Sequence, residues 1–326
     1  MGFLDGGVQV FEIRNLNLKD GGYDAGDVIT GEVVLVATKE IKCRAFLITL
    51  SGNAATRWER KHYNNDGCSD TEYYKGHEKI TEDCKVFHGE GVIAPGNFVH
   101  KFTLKLPKSC PPSFAGVHGC ITYTLIAKID RPMAIDNEVQ LAVMVKGFVD
   151  LQAMGPSVAQ PVENQGVAKI GMCCCTDGRI RIHASLSKGG FAIGEHVEII
   201  VEVGNYTSRP VVALIANILE NATFTAFHGG IWGGGGQAEK CNGTKPVVSA
   251  TKPVNIPSQA EEKVCFAFLI PKIIAPHVDC SIIHTEHAIE ICAQHESGEK
   301  GYTCVLPITL GTVSLPSKGG KEALQL

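Results

Sequence analysis

The sequence predicts an all-β protein: two tandem immunoglobulin-like β-sandwich domains joined by a hinge. Three observations carry that prediction. One is duplication. Tyr23-Asp24-Ala25-Gly26-Asp27-Val28 leads into the apolar run Val33 to Val36, and Phe191-Ala192-Ile193-Gly194-Glu195-His196-Val197 leads into Ile199, Val201 and Val203. Each copy continues to an apolar-Pro-Lys step, Leu106-Pro107-Lys108 and Ile270-Pro271-Lys272, with the proline 84 residues after Tyr23 and 80 after Phe191. A strand residue then stands 16 positions past each proline, Tyr123 and His287. Self-similarity at so long a spacing argues for two copies of one fold, not for a solenoid of short repeats. The second observation is periodicity: short alternating runs bounded by turn residues recur throughout, and no long window keeps a capped helical pattern. The third is length. A chain of 326 residues suffices for two domains that each bury a core.

The elements follow in order. Val8, Val10 and Ile13 open a first strand, and Val28 to Val36 and Ile41 to Leu50 follow as half-buried strands. Residues 53 to 80 are polar and rich in Gly, Asn and Asp, which predicts a long excursion between strands around Trp58 and Tyr73-Tyr74. From Gly96 to Leu106 the residues Phe98, His100, Phe102, Leu104 and Leu106 alternate, so one face is buried and one wet. Pro111-Pro112 interrupts before a strand from Ile121 to Ile129. The stretch from Gly147 to Gln165, with Pro156 and Pro161 and few apolar residues, reads as a hinge. The expected division is an N-terminal sandwich over 1–150, a linker over 151–168, a C-terminal sandwich over 169–316 and a short flexible tail over 317–326. Gly229 to Gly236 predicts a flexible glycine-rich loop in the second domain.

Composition narrows the class. Hydrophobic content of 44% and charged content of 20% fit a soluble globular protein. A net charge of −4, without any Lys/Arg block, speaks against nucleic acid as a partner. The 13 cysteines, an odd number that includes Cys173-Cys174-Cys175, cannot all pair within one chain. The N-terminus has neither the basic nor the apolar region of a secretory signal, and no stretch reaches the roughly 20 apolar residues of a membrane span. The three sequons at Asn205, Asn221 and Asn242 are then chance matches. These features together predict a reduced, cytoplasmic protein.

No catalytic chemistry is expected. A Gly-x-Ser-x-Gly elbow and the Lys-Ser/Thr of a P-loop are both missing. Cys280, His284, His287, Cys292 and His295 have residue types that suit zinc, as do His62, Cys68, His77, Cys84 and His88. Neither set has Cys-x-x-Cys spacing, and His284 and His287 fall on opposite faces of an extended strand. Ordinary packing accounts for them, and no metal or cofactor is predicted. The best contact candidate is the 53–80 excursion, where Arg57, Arg60, Lys61, Lys75 and Lys79 stand among acids and aromatics.

The ordered series of motifs resembles the arrestin-domain-containing, or alpha-arrestin, family. The N-domain resemblance rests on Tyr23 to Val33, Leu50-Ser51-Gly52 with Trp58, Pro95-Gly96 leading to Phe102-Thr103-Leu104-Lys105-Leu106-Pro107, Pro112 to Gly116 and Ile121-Thr122-Tyr123. The C-domain resemblance rests on Cys173 to Cys175 before Gly178-Arg179-Ile180, Gly190 to Glu195, Val203 to Arg209 and Leu306 to Val313. His287 stands where the family usually has Tyr. The resemblance covers residues 6 to 316 and implies a non-enzymatic adaptor in membrane-protein trafficking and endocytic sorting. Its implied partners are cytoplasmic tails or loops of membrane proteins and ubiquitin ligases, with peripheral association at the plasma membrane or endosomes. The family recruits ligases through Pro-Pro-x-Tyr, and that motif is missing here: Pro111-Pro112 is followed by Ser113-Phe114. The alternative is a coat subunit of the kind retromer's arrestin-like component represents.

Overall fold

The computed structural model describes residues 6–63, 69–172, 175–228, 238–272, 274–296 and 300–316. The side chains of the Cys173 to Cys175 triplet, the glycine-rich stretch 229–236 and the tail from Ser317 lie outside the described residues. The chain forms two compact units. The first comprises Met1–Gly147, Thr223–Cys241 and Val278–His284, and the second Phe148–Ala222, Asn242–His277 and Thr285–Leu326. Apart from one 3-10 turn at Pro156–Ala159, every regular element among the described residues is a strand.

In the first half of the chain the strands are β1 (Val8–Arg14), β2 (Val28–Ala37), β3 (Ile41–Cys43), β4 (Ala45–Tyr63), β5 (Ser69–His88), β6 (Gly91–Ile93), β7 (Gly96–Lys105), β8 (Phe114–Ala115), β9 (Gly119–Asp130) and β10 (Asn137–Val143). One layer is the antiparallel sheet β1-β2-β7 and the other is β10-β9-β4-β5, with β8 on β9 and a short β3–β6 ladder. Alternation along β2, β7 and β9 turns Ile29, Val33, Leu35, Phe102, Leu104, Tyr123, Leu125 and Ile129 inward, where they are buried with Phe46 and Ile48. Period-two side chains on two facing antiparallel sheets make a sandwich core.

The second half contains β11 (Val162–Met172), β12 (Cys175–Leu186), β13 (Gly190–Ala192), β14 (His196–Thr207), β15 (Val211–His228), β16 (Ala238–Ile256), β17 (Ala260–Leu269), β18 (Ile283–His295) and β19 (Lys300–Gly311). β11-β12-β14-β17 is one sheet, and β19 pairs antiparallel with β18 and parallel with β13. Ile182, Val197, Ile199, Val201, Phe266, Ile289, Leu306 and Leu310 belong to its core.

The duplicated motif makes the same knot in each unit. Gly26 and Gly194 have φ of 87° and 84°, the left-handed region that a side chain disfavours. The acid after each glycine accepts a backbone N–H three residues back: Asp27 from Asp24 at 2.8 Å and Glu195 from Ala192 at 2.9 Å. Gly26 N–H donates to Pro107 O, Gly194 N–H to Ile270 O, and Leu106 and Ile270 return bonds to Asp27 O and Glu195 O. The lysines of the two Pro-Lys steps pack over the glycines: a Cβ on Gly26 would meet Lys108 at 3.3 Å and one on Gly194 would meet Lys272 at 3.2 Å. The two distant halves of the sequence signature are therefore one contact.

Residues 53–80 correct the sequence reading. They form most of a long antiparallel hairpin, β4 with β5, instead of an irregular excursion. One face is buried at Ala54, Thr56, Trp58, Tyr74 and Gly76, but alanine, threonine and glycine at three of these places leave too few large apolar side chains for the alternation to show in the sequence.

Candidate functional site

β4 and β5 pair from Phe46 opposite His88 to Tyr63 opposite Ser69, with bulges at Phe46/Leu47 and Gly52/Asn53. β9 flanks β4 only as far as Thr56, which stands opposite Gly119. Beyond Thr56, β5 is the only strand partner of β4 among the described residues. On the other side of β5, the end of β15 adds two pairs, Phe227 opposite Lys75 and His228 opposite Tyr74.

Directly opposed residues share a face of a sheet. Arg57 opposes Lys75, Lys61 opposes Thr71 and Asn53 opposes Lys79, so Arg57, Lys61, Lys75 and Lys79 lie on one face. Tyr73 and Phe227, each 47% exposed, share it, as does His77. Lys79 pairs with Glu82, whereas Arg57, Lys61 and Lys75 have no carboxylate within ion-pair distance among the described residues. Arg60 is separated from the other four. It opposes Glu72 on the reverse face, where its guanidinium lies 5.3 Å from the Tyr74 ring centroid and 3.3 Å from Glu239.

That reverse face is an aromatic and histidine cluster. Trp58 stacks on Tyr74 at 5.5 Å with an interplanar angle of 11°, and His118 and His228 approach the two rings edge-on. The Tyr74 hydroxyl donates to Glu72 at 2.7 Å, and His62 Nε2 lies 3.1 Å from the same carboxylate. The Tyr74 bond first, and His62 after it, hold the Glu72 carboxyl below its ordinary value. The bond to Glu72 pushes the Tyr74 phenol up. Trp58 Nε1 is buried without an acceptor among the described residues. The sequence places Trp58, His62 and Tyr74 in one polar stretch, but nothing in it groups them with His118 and His228. The cluster's members come from β4, β5, β15 and the turn before β9, and only the register brings them together.

The other candidate residues are scattered. His287 is buried and His284 half-buried, and His284 Nδ1 lies 3.1 Å from Asp279 Oδ1. Cys84 and His77 are exposed, and Cys68 lies outside the described residues. The nine described cysteines are all free. Of the sequons, Asn205 is fully buried and donates to Arg209, Ile256 and Pro257 carbonyls, so it is no glycan acceptor in the folded protein. No helix among the described residues is long and apolar enough to cross a membrane.

Comparison with known proteins accounts for this arrangement. Residues 13–152 match the N-terminal domain, and residues 176–315 the C-terminal domain, of arrestin (or S-antigen). The chain is 25% identical over 317 residues to Arrestin domain-containing protein 4 of Homo sapiens, covering 94% of this chain and 72% of that one. It is 26% identical over 328 residues to Arrestin domain-containing protein 17 of Caenorhabditis elegans, with 93% and 70% covered. Thioredoxin-interacting protein of Homo sapiens is 29% identical over 209 residues, with 63% of this chain and 52% of that one covered. Two sandwiches, a duplicated glycine-acid knot in each, and consecutive matches to both arrestin domains lead to one assignment: the chain belongs to the arrestin family, among its arrestin-domain-containing, or alpha-arrestin, members.

Proposed function

We propose that this chain is a non-enzymatic adaptor in membrane-protein trafficking that grips acidic, extended cytoplasmic segments on the Arg57–Lys75 face of the β4–β5 hairpin. Family membership supports an arrestin-type adaptor role. The observation that carries the choice of surface is the Arg57–Lys75 pair itself. Two like charges directly opposed across a sheet are destabilising; Glu59 shares their face opposite Tyr73 but pairs with neither cation, and a bound anion relieves the repulsion. Lys61 adds a further cation toward the tip, beyond Glu59 on the same face. Tyr73 and Phe227 offer apolar area between the cations, the combination of charge and aromatic anchor that protein interfaces favour. An acidic partner would be steered by charge and seated by the rings. The residues Arg57, Lys61, Lys75 and Lys79 form the gripping face, and Arg60 holds the hairpin from behind through Tyr74 and Glu239. Ubiquitin-ligase recruitment, if this adaptor performs it, uses a surface other than a Pro-Pro-x-Tyr segment within these residues.

The test is affinity capture from a detergent-solubilised membrane fraction, comparing the native chain with Arg57→Glu/Lys75→Glu. Membrane proteins with acidic cytoplasmic segments should be captured by the native chain and lost with the variant. Recovery of stoichiometric coat subunits, retained by the variant, would replace this reading with the coat-subunit one.

A further inference from the structure

Edge strands are where a sheet can recruit another chain, and natural sheets usually blunt them with lysine, proline, bulges or a covering element. Most edges here are blunted. On β7, Lys105 N–H donates to Asp83 at 2.8 Å and Lys101 O accepts from Lys85 at 2.9 Å. β1 carries a bulge between Val8 and Val10, and on β11 Asn164 O accepts from Cys304 Sγ at 3.3 Å. Cys265 O on β17 accepts from Lys252 at 2.6 Å, and β16 contains Pro246, Pro253 and three lysines. β10 is different. Its seven residues, Asn137-Glu138-Val139-Gln140-Leu141-Ala142-Val143, include no lysine and no proline, and it pairs with β9 in unbroken register.

The direction of its free groups follows from its neighbours. Met144 O accepts from Tyr23 N and Lys146 N donates to Tyr23 O, while Val145 N and O meet Ser113 on the other side. Even-numbered residues therefore face away from β9. Asp130 O turns to Arg44, the residue just before β4, on the far side of β9, which puts the odd residues of β9 and β10 in the ladder between them. The backbone N–H and C=O of Glu138, Gln140 and Ala142 point outward with no partner among the described residues. Tyr23 closes the edge at Met144, so the open window is short.

We propose that β10 pairs antiparallel with β10 of a second copy of this chain, about a two-fold axis through Gln140, giving a weak homodimer. The segment is self-complementary in that register. Gln140 meets Gln140, Glu138 of one copy meets Ala142 of the other, and half-buried Val139 meets Leu141, which is 37% exposed. No like charges face each other, and all six outward groups on each copy are answered. An isologous pairing of this kind needs only one self-matching patch. With so short a window the interface is small, so the dimer is one that forms as concentration rises and parts on dilution.

Sedimentation velocity of the full chain across the micromolar range tests this register. The native chain should show a monomer–dimer equilibrium. Ala142→Lys places a lysine opposite Glu138 twice and should tighten it by roughly 3- to 10-fold, and Ala142→Glu should weaken it by a similar factor. Circular dichroism melts establish that both variants are folded. A dimer whose strength is the same in all three proteins, or no dimer in either the native chain or Ala142→Lys, overturns the proposal.

Discussion

His287 holds the place in the second unit that Tyr123 holds in the first, and the two side chains meet burial in different ways. Tyr123 donates its hydroxyl to Pro111 O at 2.6 Å, and burial pushes its phenol well above the ordinary range. His287 is equally buried, but its Nε2 has no partner among the described residues. Burial first, then the nearby His277 and Lys245, lowers its pKa to about 4. A histidine in an unfolded chain titrates near 6.5. Above that value it is neutral in both states and adds nothing to the pH dependence. As pH falls below it, the unfolded chain takes up a proton that the native state refuses until about 4, so stability drains away through this window. The loss attributable to His287 should be about 2 kcal/mol by pH 5. Denaturant melts at pH 7 and pH 5 check this. His287→Phe should lose less stability than the native chain between the two conditions, and an equal loss in both would refute the assignment. The sequence marked His287 as a departure from the family's usual tyrosine. Its missing hydrogen-bond partner became visible only in three dimensions.

At the scale of the element, the β4–β5 hairpin carries the functional argument and was the part least legible beforehand. The strands β2, β7 and β9 could be read from the sequence because one face of each is buried, and burial writes a period of two into the chain. The outer half of β4–β5 has Arg57, Glu59, Lys61, Thr71 and Tyr73 on one face and buried Trp58 and Tyr74 with Arg60, His62 and Glu72 on the other, so both faces carry charges and aromatics and the period is hidden in the sequence. The five basic candidates were found by charge alone, and charge could not reveal that Arg60 faces away from the rest. Register decides that. It also sets a trade between stability and binding. Because Arg57 opposes Lys75, replacing either with glutamine should stabilise the hairpin by about 0.2–1 kcal/mol while weakening an acidic ligand. Chemical denaturation of Arg57→Gln and Lys75→Gln checks the first half. A loss of stability in both variants would mean that the cations have partners the proposed role does not allow.

At the scale of the whole chain, duplication was legible because it rests on fixed backbone needs. A positive φ at Gly26 and Gly194, an acid to close the turn and a Pro-Lys step to cover it can be recognised in any context. The assignment of later segments to the first unit could not be read in the same way. Thr223–Cys241 and Val278–His284 lie far along the chain but pack with the N-terminal strands. Thr56 donates to Thr225 O at 2.7 Å, Phe224 is fully buried near Phe114 and His118, and Ser281 donates to Glu78 through both its N–H and its hydroxyl. A fragment of residues 1–150 should therefore expose Trp58, Phe114 and His118. It should bind a hydrophobic dye and unfold at lower denaturant than the same residues within the full chain, and a fragment as stable as its parent would show that these segments contribute little.

The most direct test of the adaptor reading is fluorescence anisotropy of a labelled Asp/Glu-rich peptide with one aromatic residue, against its Asn/Gln counterpart, titrated with the full chain. The acidic peptide should bind, lose affinity as salt is raised from about 50 to 300 mM, and bind Arg57→Glu/Lys75→Glu at least about tenfold more weakly. Equal affinity for both peptides, or an affinity untouched by the double substitution, would contradict the claim that this face of the hairpin is where the protein holds its partners.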